Sequence, residues 1–212
     1  MERLCAPAFA VLLLSACSAT STPSEPADAG VVRDGPSYDV PAPRPRAKRT
    51  ALTPATVDQF VRWAGDQHKN PEIIEELERA QPDGIAALVD YTHRAWRFEN
   101  GEHVFDPQME PMTALSLYRH VAVAEHLARI SDLIWRKVPP NTEQHIEGSL
   151  ANDVIEHHAA ALEVIACTQG EEAAAELTRI EASHPHPSTR TLATMARRYQ
   201  NDRTKCRVDE FW

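Results

Sequence analysis

The chain has 212 residues, 42% of them hydrophobic and 25% charged, with a formal net charge of −9. Six basic and five acidic side chains fall in residues 1–55, so residues 56–212 carry −10, an acidity that makes nucleic acid and anionic membrane poor partners. The length suits one domain with an ordinary core, and no apolar run reaches the ~20 residues that a membrane-spanning helix needs.

The first predicted element is a targeting segment. Arg3 precedes an apolar stretch, Ala8 to Leu14, which closes on Leu14-Ser15-Ala16-Cys17. Residues 1–16 read as a secretion signal and stand outside the fold. The run of Leu, a small residue, Ala and Cys resembles the lipobox of bacterial lipoproteins, over about the first 17 residues. That resemblance implies cleavage before Cys17, diacylglyceride on its sulfur and an acyl chain such as palmitate on the new N-terminus. Ser18, in place of Asp, implies the outer membrane as address, with the protein facing the periplasm. Several acyl chains anchor stably where one is marginal. The lipid bilayer is therefore an expected partner through Cys17, with no transmembrane helix in the mature protein. Outside the cytoplasm disulfides form.

Residues 17–52 read as a lipidated flexible linker. Pro23, Pro26, Pro36, Pro41, Pro43 and Pro45 stand among Ser, Thr and Ala, with few large apolar side chains to offset ordering entropy. A flexible chain of this length spans roughly 30–35 Å. Its basic run, Arg44-Pro45-Arg46-Ala47-Lys48-Arg49, has lipid headgroups, anionic envelope polymer, the acidic domain or solvent alone as alternatives.

Residues 53–212 read as an all-α domain, an irregular bundle of about six to seven helices. Thr53-Pro54 opens the first, to Gln67, and Asn70-Pro71 opens a short second one, Glu72 to Ala80. Pro82-Asp83 starts a third, Gly84 to Glu99, and a loop follows over 100–111. A fourth covers Met112 to Lys137, apolar on most sides and therefore expected at the centre. A fifth starts at Asn141 or Thr142 and ends at Cys167. The sixth runs from Glu171 to Ala182. After the turn His184-Pro185-His186-Pro187, Ser188 caps a seventh, to Asn201. No stretch alternates with period two, so β structure is not expected.

With Cys5 leaving in the signal and Cys17 assigned to lipid, Cys167 and Cys206 remain as a disulfide pair. Ten histidines raise a metal hypothesis. The candidates are His120 and His126 on the fourth helix, with His157, His158 and Asp153 on the fifth. Zinc would require about four nitrogen, oxygen or water ligands converging between those helices. His184 and His186, in a turn, favour only adventitious metal. Asp90 and His93 are spaced to pair, and Glu99, Glu102, Asp106 and Glu110 beside His103 could furnish an acid for glycan cleavage, so an envelope hydrolase is an alternative. Ser149, Asp153 and His157 share one side of a helix, which does not by itself make a triad. Phe98, His103, Phe105 and Trp212 are candidate docking residues.

The leading expectation is a non-enzymatic envelope lipoprotein whose tethered helical module binds or inhibits a protein partner. A metal- or small-ligand-binding protein using the histidines is the second class.

Overall fold

A computed structural model describes residues 50–66, 71–139 and 149–206. Cys17, the basic run, Trp212 and the predicted helix start at 141 or 142 lie outside them. In chain order come α1 (Val57–Asp66), α2 (Pro71–Arg79), α3 (Pro82–Ala95), β1 (Trp96–Glu99), β2 (Glu102–Phe105), α4 (Pro111–His120), α5 (Leu127–Ile134), α6 (Leu150–Cys167), α7 (Glu171–Ser183) and α8 (Pro187–Asn201). The expected all-α class holds, as an irregular bundle of eight described helices and one hairpin.

Proline is the first residue of α2, α3, α4 and α8. There its missing N–H is no loss and its fixed φ suits the helix. At α8 this moves the cap from the expected Ser188 to His186, which is extended. α1 starts later than Thr53-Pro54: the Thr56 carbonyl accepts the first helical bond, from Phe60 N at 2.8 Å. Ser149 caps α6, its Oγ accepting from Asn152 N at 3.3 Å.

Two expectations need correction. The helix expected over 84–99 stops at Ala95, and 96–105 form an antiparallel hairpin with Trp96 opposite Phe105 and Phe98 opposite His103. The turn residues Asn100 and Gly101 have φ of 54° and 84°, the pattern of a two-residue Asn-Gly turn. The strands have four residues each, too short for period-two alternation to stand out. The helix expected over 112–137 is broken between α4 and α5. Tyr118 Oη accepts from Val123 N at 3.3 Å and bonds His126 Nδ1 at 3.0 Å, holding the backbone out of helix where two β-branched valines weaken it.

The segment with the most neighbours is consequently α6, which packs against α4, α5, α7 and α8; α3 packs against α1 and α4. Phe60, Leu88, Tyr91, Trp96, Leu115, Tyr118, Ile134 and Leu162 are buried at the centre. Ala161 of α6 and Ala193 and Ala196 of α8 are buried too, small side chains that let the two backbones approach. Cys167 and Cys206 form a disulfide with 5.6 Å between their Cα atoms.

Buried polar ties cross the bundle. Glu163 accepts from Arg119 and, at 2.8 Å, from the Tyr199 hydroxyl. Glu176 of α7 accepts from Ser131 and, at 3.0 Å, from the Trp135 indole. Burial pushes the Glu176 carboxyl up, but hydrogen bonds from Arg179, Ser131 and Trp135 outweigh it and hold it below its ordinary range.

Candidate functional site

Trp96, the fully buried first residue of β1, organises a junction of histidines. Its ring lies within 6 Å of the rings of His103, Phe105, His157 and His158. Its indole N–H donates to His103 Nδ1 at 2.9 Å. Because that nitrogen accepts, the imidazole proton sits on Nε2, which donates to the Lys137 carbonyl at 2.6 Å.

His184 at the end of α7 repeats the arrangement. Its Nδ1 accepts from His186 N at 3.1 Å, and its Nε2–H donates to the Ile134 carbonyl at 2.9 Å. His93 of α3 makes a third instance, with Nδ1 accepting from Arg136 Nη2 at 3.2 Å and Nε2–H donating to the Arg129 carbonyl at 3.1 Å. The three carbonyls all belong to α5 or the three residues after it. Burial lowers the pKa of all three imidazoles; Arg136 and Arg129 lower His93 further.

The α6 histidines close the junction. His157 Nδ1–H donates to the Asp153 carbonyl at 2.6 Å, and its ring lies 4.4 Å from that of Phe105. His158 Nδ1 bonds Thr189 Oγ1 at 3.0 Å. The Nε2 atoms of both are buried and meet no hydrogen-bond partner. Burial lowers His157 and, with His184 and His103 nearby, holds His158 well below the ordinary imidazole value.

The expected metal ligands are therefore spread over separate environments. His120 ends α4, His126 faces Tyr118, and His157 and His158 pack on Trp96. Among the described residues no three His, Cys, Asp or Glu side chains converge as a metal-binding group. The break after His120 is one reason, since His120 and His126 no longer share a helix. The packing of His157 and His158 on the hairpin is the other. His184, expected in a turn, is buried.

The expected docking residues part company too. Phe98 is exposed, 36% of its surface free, and meets the His103 ring edge-on at 5.0 Å. His103 is buried and Phe105 stacks on Trp96 at 5.7 Å. All three side chains lie on the hairpin face that carries Trp96, with Phe98 directly opposite His103, and Phe98 is the one of the three described docking candidates left exposed.

A cleft of about 750 Å³ opens where α1, α3 and α5 meet, lined by Asp58, Asp90, His93, Arg94, Arg97 and Arg129 among others. Arg94 pairs with Asp58 at 2.8 Å and Arg129 with Asp90 at 2.7 Å, each pair joining two helices. Arg97 pairs with Glu99 at 3.1 Å. Asp90 thus faces Arg129 rather than His93. The α6 set is structural as well: Ser149 caps the helix and His157 bonds the carbonyl of Asp153. In the loop, Asp106 accepts from Gln108 N at 2.9 Å, Glu110 accepts from the Thr113 hydroxyl at 3.0 Å, and Glu99 pairs opposite Glu102.

Sequence reading missed His93, His184, Arg129 and Arg136 as parts of one constellation. Their partners lie 36 to 50 residues away, so no local pattern marks them. Asn100-Gly101, which positions His103, was a readable turn signal. Comparison of the chain with protein-family models, with curated proteins and with solved structures finds no match.

Proposed function

We propose that this chain is a lipid-anchored protein of the bacterial envelope whose helical domain docks a protein partner. The observation that carries the reading is the partition of the cysteines. Cys167 and Cys206 are bonded to each other within the domain. Cys17 is left in the run Leu14-Ser15-Ala16-Cys17, placed for a thioether to lipid. A disulfide of this kind suits the oxidising compartment to which such a signal leads. Docking is supported by the cleft between α1, α3 and α5. Its three arginines are spread over α3, β1 and α5, arginine being a residue enriched at protein interfaces. Each is matched with a carboxylate, so the cleft suits a surface of alternating charge more than a single anion.

Two measurements test the reading. Replacing Cys17→Ala is expected to move the protein from the membrane to the soluble fraction and to abolish palmitate labelling. A photocrosslinking side chain at Gln59, exposed on the cleft rim, is expected to trap one discrete partner in intact cells. The same probe at Met195, exposed on α8, is the control and is expected to trap none. Unchanged membrane association in the Cys17 variant rules out the anchor. Indistinguishable products from the two probes rule out docking at the cleft.

A further inference from the structure

We propose that α5 and the three residues after it are held by an acid-labile lock, in which His93, His103 and His184 tie α3, the hairpin and the α7–α8 corner to this segment at neutral pH and release them together on acidification. The polarity of the hydrogen bonds carries this. Each Nε2 must donate, because its partner is a carbonyl: Arg129, Lys137 or Ile134. Each Nδ1 accepts from an N–H: the Arg136 guanidinium, the Trp96 indole or, at His184, the His186 amide at 3.1 Å, with the His186 carbonyl farther off at 3.5 Å. None of those three donors can act as an acceptor. A second proton falls on Nδ1. At His93 and His103 it replaces a hydrogen bond by two opposed donors; at His184 it opposes the His186 amide and leaves only the longer 3.5 Å contact to the His186 carbonyl. At His103 and His184 the charge is buried. At His93 the opposed donor is itself a cation.

The surroundings give that charge little relief. Facing His103 are Trp96, Phe98 and Phe105 of the hairpin, with Arg136 5.6 Å from the Trp96 ring and His157 and His158 behind on α6. Facing His184 are Trp135, His158 edge-on at 5.7 Å, His186, and Arg190, which donates to the His184 carbonyl at 2.6 Å. Facing His93 are Arg129, Arg136 and Asp132, whose carboxylate is 3.4 Å from Arg136 and largely solvated. Asp153 acts on His157. Burial already disfavours the imidazolium at each of the three positions. The accepting carbonyls lie within residues 129–137, so losing one tie loosens the backbone that holds the next.

The test is hydrogen exchange by mass spectrometry on the full chain in detergent, between about pH 7.5 and about pH 5, corrected for intrinsic exchange. Peptides covering 96–106 and 184–190 are expected to lose about tenfold or more protection relative to 57–64. His103→Gln with His184→Gln keeps a side-chain donor and acceptor at each site without a titration, and is expected to suppress that loss to about twofold. Ring 15N shifts of the unsubstituted protein supply a readout that does not depend on the variant folding. At neutral pH they are expected to show the proton on Nε2 and none on Nδ1 at all three histidines. Unchanged protection of both peptides across the range overturns the lock, as does full acid loss in the folded double variant, or a proton on Nδ1 of any of the three rings.

Discussion

Glu163 serves two partners at once, the buried Arg119 guanidinium and the Tyr199 hydroxyl. Arg119 has 9% of its side chain exposed and Glu163 22%, so the pair is poorly screened. Glu163→Ala strands a buried cation and is expected to destabilise the domain by about 3 kcal/mol in urea denaturation. Adding Arg119→Met should recover part of that loss. The buried His103, His157, His158 and His184 set the pH response. Burial lowers each of them in the folded chain. The unfolded chain takes up protons near the ordinary value of about 6.5, so below it the unfolded state binds more. Stability is therefore full above about pH 6.5 and is lost as the pH falls toward the folded values, by up to about 1.4 kcal/mol per pH unit for each imidazole. The urea midpoint should drop between about pH 7.5 and about pH 5.5; a midpoint that holds or rises contradicts this. At this scale the sequence tells little. Glu163 and His184 look like ordinary helix and turn residues, and their burial is decided by what packs over them.

The hairpin is the element whose local chemistry is plainest in retrospect. Gly101 has φ of 84° with nothing within 4 Å of where a Cβ would stand, so Gly101→Ala meets no clash and only a conformational penalty. The expected cost is about 1 kcal/mol, read as a lower thermal midpoint. His103, carried on β2, should exchange faster with it. Asn100-Gly101 marks this turn, whereas the four-residue strands give periodicity too little length to register. The division of 112–137 into α4 and α5 is different. Leu115, Ile130, Leu133 and Ile134 are all buried, so apolar spacing runs through the break as though one helix continued. The interruption depends on one tyrosine hydroxyl gripping the backbone of Val123, a side-chain event that hydropathy does not record.

Over the whole domain, fold class was legible because proline starts and helical periodicity agree along most of the chain. Packing order was not, since the ties that decide it, such as Trp135 to Glu176 and His184 to Ile134, join residues 41 and 50 apart. The disulfide was legible by subtraction, once the other two cysteines were assigned to the signal and the lipid site. Its ends are 39 residues apart, and replacing both cysteines by serine should cost roughly 4 kcal/mol by loop-closure entropy. Calorimetry of the paired variant checks this; an unchanged melting temperature contradicts it.

The bond has another consequence, for how the molecule is dismantled. Cys167 and Cys206 enclose α7 and α8 in a covalent ring. A protease that cuts once inside the ring, at Gln169-Gly170 for example, leaves two peptides still joined through sulfur. The nicked chain runs as one molecule on a non-reducing gel and separates only when a thiol is added. Separating the two peptides thus takes two agents in succession, a peptidase and a reductant.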